Sequence, residues 1–323
     1  MQRMIAVDYL RVVLAGFVVV AHSGLARQSI RDAGEAGLVW LALGNSVLRV
    51  AVPVFTLIAG WFLAGVMRRG GLSGWAGHLL VLYAVWSAIY LVFLGPYYAN
   101  RPLALTGSEL VLGFMHLWFL QGLAVAGVLL AGFAALGRGA VAASAVVLGG
   151  AGLALQYARM AGLSEVPMEH YRNGPLYLYP YLAMGWLMAQ GLPRIGAGWL
   201  WAAAVLGLAA CVAENLFWLH RIGEDPLLEM PPGHLLACPA ILLLVMRWRL
   251  PRTDLPLGRA AAAIYVAHVL VLQGLPMLGI DHPPTGAVLG FLLPLAVVLA
   301  LDRRRAGQAT GYSSRNPRGI NRF

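Results

Sequence analysis

The stretch "DYLRVVLAGFVVVAH", residues 8–22, decides the fold. Its apolar residues run on without the alternation of a half-buried strand. With its neighbours it makes a span over residues 4–25, and about 20 apolar residues suffice to cross the hydrocarbon core as a helix. The stretch nevertheless holds Asp8 and Arg11 and ends on His22. An ionisable group inside a membrane helix costs a few kcal/mol, so such groups mark functional sites by default. His22 stands eleven positions after Arg11, so eleven helical steps separate them. At about 100° each they total about 1100°, about 20° from three full turns, so the two side chains share a face about 16 Å apart along the axis. Asp8, at i−3, is placed to pair with Arg11. The purely structural account has Arg11 snorkelling to the inner interface and His22 sitting at the outer one.

Similar runs recur along the chain. It is 60% hydrophobic and 11% charged, about half the charge of a soluble domain; its mean hydropathy is +0.75. Ten spans are predicted, at 4–25, 42–66, 76–96, 109–136, 139–157, 175–191, 197–220, 233–248, 258–276 and 284–301. Alternating segments of a barrel are absent. The expected fold is all-α and polytopic, with about ten transmembrane helices in residues 1–301 and an Arg-rich, solvated, disordered tail over 302–323. Arg3 followed by an apolar run resembles a signal peptide, but the run is long, contains Arg11 and lacks a small-x-small cleavage site. It is read as a retained first helix.

The net charge of +10 comes entirely from arginine. With the N-terminus inside, fifteen arginines fall on inner segments and six on outer loops, while acidic residues such as Asp32, Glu165, Glu169, Glu224, Asp225 and Glu229 gather outside. The bias sets the topology, with both termini cytoplasmic, and removes any need to invoke nucleic acid. Cys211 and Cys238 lie in apolar context and read as buried packing residues. No pattern fixes an oligomeric state. No internal repeat is visible, which counts against the rival reading of a transporter or flippase for lipid-linked sugars.

Other polar residues interrupt the spans. His116 in "FMHLWFLQGL" is expected about six residues into the fourth span, at a depth comparable to His22. His268 in "AIYVAHVLVL" is expected about ten residues into the ninth, near mid-membrane. Three histidines in apolar helices imply a shared polar cavity. None has the paired spacing of a zinc site, so proton chemistry ranks above metal binding and no metal is expected. Arg49 enters the second span from outside, where Pro53 loosens the helix; Arg68 and Arg69 close that span on the inner side. Glu214 lies near the outer end of the seventh span and faces either a cavity or the interface. Trp118, Tyr177, Tyr179 and Tyr181 read as interfacial aromatics. The loop 158–174, the longest external one, carries Glu165, Glu169, His170 and Arg172.

Four stretches in order resemble one family. "DYLRVVLAGFVVVAH" resembles its first-helix motif of a basic residue, ten residues and a histidine; "VPVFTLIAGWFLAGVMRR" is similar to its second-helix block ending in a basic cluster; "HLWFL" and "IYVAH" match two further signatures. The chain is identified by these as resembling the acyltransferase-3 family of integral-membrane acyltransferases, especially its polysaccharide O-acetyltransferase branch, over residues 6 to 300. Where the family's second block reads Ser-Gly, this chain has Ala59-Gly60, without a hydroxyl.

The resemblance implies a multi-pass protein of the bacterial cytoplasmic membrane that moves an acyl group, commonly acetyl from acetyl-CoA, to a hydroxyl of a glycan on the extracytoplasmic side. Another acyl group or a small-molecule acceptor stays within that reading. Arginine forks suit the diphosphate of acyl-CoA, which assigns Arg11, Arg68 and Arg69 to the donor. An extended pantetheine arm is on the order of 15–20 Å by bond lengths, comparable to the offset of Arg11 and His22. His22 is then a general base or, alternatively, an acyl-histidine nucleophile. His116 polarises the thioester carbonyl or positions the acceptor; Arg49, Trp118, Glu214 and His268 are candidates for the substrate cavity.

Overall fold

The computed structural model describes residues 4–192, 194–222 and 228–314, with the side chains of 26–33 and 305–314 outside the description. Glu224 and Asp225 of the expected outer acidic set, and 315–323 of the tail, lie outside the described residues. Among these residues the chain is helical, without a strand. The helices are α1 (Ile5–His22), α2 (Leu25–Leu48), α3 (Ala51–Arg68), α4 (Leu72–Phe93), α5 (Gly95–Ala99), α6 (Leu103–Leu112), α7 (Trp118–Ala135), α8 (Arg138–Met160), α9 (Tyr179–Ala189), α10 (Ala197–Ile222), α11 (Gly233–Val245), α12 (Leu257–Met277) and α13 (Pro283–Ser314).

Among the described residues each expected span contains a helix, and 8 helical stretches are long and apolar enough to cross a membrane. The sixth and eighth spans are shorter: α11 has 13 residues and α9 has 11, preceded by a π-helical turn at Gly174–Leu178. Helix α13 continues past residue 301 to Ser314, and Asp302 in that extension pairs with Arg259 at the start of α12.

Two spans expected to be continuous are broken. In the second, α2 ends and α3 begins around Arg49–Val50. Pro53 has no N–H to return to the Arg49 carbonyl, so the ladder cannot run through; the Val50 amide instead makes a 3.4 Å bond to the Val47 carbonyl. In the fourth, α6 stops at Leu112, and Gly113 (φ 135°) and Met115 (φ 48°) turn the chain before α7. A non-glycine residue at positive φ costs on the order of 1–3 kcal/mol and persists only where its surroundings over-determine it. The Tyr83 hydroxyl does so here, accepting from the Phe114 amide at 3.0 Å and donating to the Leu110 carbonyl at 2.7 Å.

The chain forms two compact units. One contains α1, α12 and α13. Gly16 of α1 faces Phe291, and Gly290 faces Val19 and Leu272, so α13 runs antiparallel to α1. The other contains α2 to α11. Its helices meet at backbone distance, the arrangement membrane helices use where no hydrophobic drive separates helix from lipid. A Cβ on Gly60 of α3 would stand 2.1 Å from the Leu182 carbonyl oxygen of α9, and one on Gly185 of α9 would stand 2.1 Å from that of Leu57. Gly122 meets Gly174, and Gly207 meets Gly233, in the same way. The close approaches leave room for large rings beside them. Tyr177, Tyr179 and Tyr181 are therefore core residues, all buried, and not the interfacial aromatics their composition implied. Cys211 and Cys238 are buried free thiols, as expected.

Candidate functional site

The first unit carries a pair of histidines. His22, the last residue of α1, has Nδ1 2.8 Å from the Val18 carbonyl. A carbonyl only accepts, so Nδ1 holds the hydrogen and, in the neutral ring, Nε2 holds the basic lone pair. His268 is fully buried on α12 and has the same arrangement, with Nδ1 2.7 Å from the Tyr265 carbonyl and 3.1 Å from that of Ile264. The two rings stand edge to face, their centroids 5.1 Å apart, and the Tyr265 ring lies 6.4 Å from that of His268.

Arg11 lies lower on the same pair of helices. Its Nη1 is 3.6 Å from Asp8 Oδ1, the expected i−3 pair, and 3.9 Å from the position a Cβ would take on Gly258. Arg11 therefore matches Gly258 while His22 matches His268, eleven residues on in α1 and ten in α12. The two helices run parallel and in step. This corrects the depths read from sequence. His22 was placed at the outer end of its span and His268 near mid-membrane, but they share one level. The cause is the length of α1, whose 18 residues end beside the middle of the 21-residue α12.

The second unit holds a separate polar cluster. Arg49, at the α2–α3 junction, makes a 2.6 Å ion pair with Glu229, and Arg172 lies 3.8 Å from the same carboxylate oxygen. The Arg172 guanidinium carbon is 5.3 Å from the Trp118 ring, and Trp118 stacks on Tyr177 with centroids 5.9 Å apart. Gln156 of α8, fully buried, holds the strand-like segment bearing Glu229: its Oε1 accepts from the Glu229 and Met230 amides at 2.9 and 2.8 Å, and its Nε2 donates to the Met230 carbonyl at 3.2 Å. In the loop, burial and then the Glu229 charge push the Tyr171 phenol up to about 12, so it stays protonated. Arg172 and Glu229, which the charge distribution places only among the outer segments, are here joined in one ion-paired cluster. Their signal in the sequence is weak: each is a charge beside a Gly-Pro or Pro-Pro turn, at Gly174-Pro175 and Pro231-Pro232.

His116 belongs to the second unit as well. It sits in the 3₁₀ turn Met115–Leu117, buried, with its ring edge to face against Tyr90 at 5.1 Å. The turn, not a continuous helix, sets its direction. Arg68 and Arg69 are exposed at the end of α3. Glu214 is half-buried on α10 and accepts the Tyr157 hydroxyl of α8; of the two settings read for it, it has a specific partner within the helices. Also unanticipated is a buried group around Ser46: His234 lies with Nε2 2.8 Å from the Ser46 carbonyl, and Asn215 donates to the Ser46 hydroxyl at 3.1 Å.

Apolar spans of this number and length define a polytopic helical membrane protein. The family model described as an acyltransferase domain, Acyl_transf_3, matches residues 4–303. The chain belongs to the acyltransferase-3 family and is a membrane acyltransferase. No curated protein and no solved structure matches it.

Proposed function

We propose that the protein transfers an acetyl group from cytosolic acetyl-CoA to a hydroxyl of a cell-surface or exported glycan, and that it works in the cytoplasmic membrane of a bacterium with both termini inside. The reading rests on one observation: Arg11 and His22 occupy one face of α1, about 16 Å apart along the axis, with His22 Nε2 left as the basic nitrogen by the bond at Nδ1. A pantetheine arm of on the order of 15–20 Å spans that interval. Arg11 takes a donor phosphate, and the thioester lies at His22. Nε2 removes the proton of the acceptor hydroxyl as its oxygen attacks the thioester carbonyl. The tetrahedral intermediate expels the coenzyme thiolate, which takes the proton back from the imidazolium, leaving an ester and free coenzyme A. His268 orients His22.

The test uses purified protein in proteoliposomes with acetyl-labelled acetyl-CoA on one side and an unacetylated bacterial polysaccharide on the other. The expected result is alkali-labile label on the polysaccharide with stoichiometric release of free thiol. Thiol release without ester on any glycan, or no consumption of acetyl-CoA, overturns the reading.

A further inference from the structure

The break between α2 and α3 leaves a carbonyl for another helix to satisfy. In an unbroken helix the Val50 amide would bond the Ser46 carbonyl; here it bonds that of Val47. His234 of α11 supplies the donor instead, with Nε2 2.8 Å from the Ser46 carbonyl oxygen. A carbonyl only accepts, so Nε2 carries the hydrogen and, in the neutral ring, Nδ1 carries the lone pair. An imidazolium would bury a second N–H and a positive charge together, which is far costlier.

Asn215 of α10 is fixed in the same way. One amide hydrogen goes to the Cys211 carbonyl at 2.9 Å and the other to the Ser46 hydroxyl at 3.1 Å. That hydroxyl gives its own hydrogen to the Ala42 carbonyl at 2.7 Å, so towards Asn215 it accepts. Turning the amide over would set its oxygen against the Cys211 carbonyl, acceptor against acceptor. Both amide hydrogens are therefore in use, and Oδ1 remains as an acceptor.

Ser46, Asn215 and His234 are all fully buried. Neither Asn215 Oδ1 nor His234 Nδ1 has a hydrogen-bond partner among the described residues. Both are acceptors, so they cannot satisfy one another. Both belong to residues bonded to Ser46, which puts them in one seam of α2, α10 and α11 within the second unit. A buried acceptor without a donor is costly, and two of them call for a small neutral molecule with two hydrogens to give. Water is that molecule, and buried waters sit at such otherwise-unsatisfied groups.

We infer that the seam of α2, α10 and α11 binds one internal water molecule, which donates one hydrogen to His234 Nδ1 and the other to Asn215 Oδ1. The water holds the imidazole that caps the broken end of α2, and so stabilises the break at Arg49–Val50. The site takes no part in the proposed acetyl transfer and is tested without turnover.

The test is magic-angle-spinning NMR of the full-length protein in lipid bilayers, with isotope-labelled histidine and His234 assigned by the signals lost in His234→Gln. The ring is expected to be the neutral Nε2–H tautomer with Nδ1 hydrogen-bonded, and polarisation transferred from water is expected to reach it as it reaches the exposed His170. Asn215→Leu removes the second acceptor and is expected to lower the transfer to His234 about tenfold, a loss equivalent to about 1.4 kcal/mol. Asn215→Asp loses the same amide hydrogens but keeps an acceptor oxygen, and is expected to retain the transfer. A dry His234 ring, with transfer to His170 intact, overturns the inference, as does an imidazolium or an Nδ1–H tautomer. Equal transfer in Asn215→Leu and the wild type overturns it too. The wild-type spectra decide the matter where an Asn215 variant does not fold.

Discussion

His22 and His268 face each other edge to face with ring centroids 5.1 Å apart, and each commits Nδ1 to a carbonyl of its own helix. The backbone thus fixes the tautomer of both rings and leaves Nε2 of each as the acceptor. Removing the base in His22→Ala is expected to lower kcat about 10²–10⁴-fold, the range for loss of a positioned acid–base group, with folding intact by size-exclusion chromatography. His268→Gln keeps a similar volume but loses the imidazole edge. If His268 positions His22, its kcat falls by about tenfold while the KM for acetyl-CoA stays at the wild-type value. A rise in that KM with kcat unchanged removes the positioning role.

Arg11 Nη1 lies 3.6 Å from Asp8 Oδ1, and in the proposed function its guanidinium takes a phosphate of the donor. A hydrogen bond to a charged group contributes about 1.5–3 kcal/mol, so Arg11→Ala is expected to raise the KM for acetyl-CoA by roughly 10–150-fold. Arg11→Lys recovers part of that loss, because the charge remains while the fork geometry is lost. Isothermal titration with desulfo-CoA separates binding from chemistry. Unchanged affinity in Arg11→Ala excludes Arg11 from the donor site.

The two units differ in how much of them the sequence revealed. Helical phase in α1 put Arg11 and His22 on one face, because the relation is internal to one helix and obeys one fixed period. The partner of His22 was beyond reach, since which helix lies beside α1, and at what height, depends on packing around Gly258 and Gly290 and on where α1 stops. The break at Arg49–Val50 was half legible: Pro53 announced a loosened helix but not a complete turn. The break that orients His116 was not legible, because Gly113 is one glycine among 39 and the strain at Met115 is enforced by Tyr83, thirty-two residues earlier. Tyr177, Tyr179 and Tyr181 were misplaced for the same reason. Composition assigns aromatic residues to interfaces, whereas the glycine contacts that draw these into the core involve pairs distant in sequence.

Arg49 and Glu229 make the tightest described ion pair of the second unit's cluster, at 2.6 Å with the side chains 25% and 14% exposed. Breaking a buried pair from one side costs about 3–5 kcal/mol, and more than removing both partners, because the survivor keeps its desolvation cost. Partial exposure here sets the expectation near the lower end. Arg49→Met is expected to destabilise the protein, Glu229→Met more so because Arg49 and Arg172 both lose this carboxylate, and the double Arg49→Met/Glu229→Met less than the sum. Thermal unfolding of all three in one detergent measures the cycle. Additive losses show the pair to be uncoupled.

The crossing of α3 and α9 leaves no space for a methyl group. A Cβ on Gly60 would lie 2.1 Å from the Leu182 carbonyl oxygen and 3.0 Å from the Trp186 amide nitrogen. Both obstacles are backbone, so neither can rotate aside, and the helices must separate along their whole contact. Overpacking of this kind typically costs about 1–3 kcal/mol. Separation also forfeits contacts beyond the site, which puts Gly60→Ala at or above the top of that range. Gly77 of α4 provides the contrast, because a Cβ there meets nothing within 4 Å. Gly77→Ala is expected to be neutral or to stabilise by up to about 1 kcal/mol, through the lower conformational freedom of alanine in the unfolded chain. Fluorescence-detected unfolding should therefore show a large fall in Tm for Gly60→Ala and none for Gly77→Ala. Equal Tm values would place the α3–α9 contact further apart than the structure has it. The measurement also bears on the block "LIAGWF", residues 57–62. If Gly60 serves close packing, its loss lowers the yield of folded protein while the remaining folded molecules keep their kcat, whereas a chemical role for that position would lower kcat with the Tm unchanged.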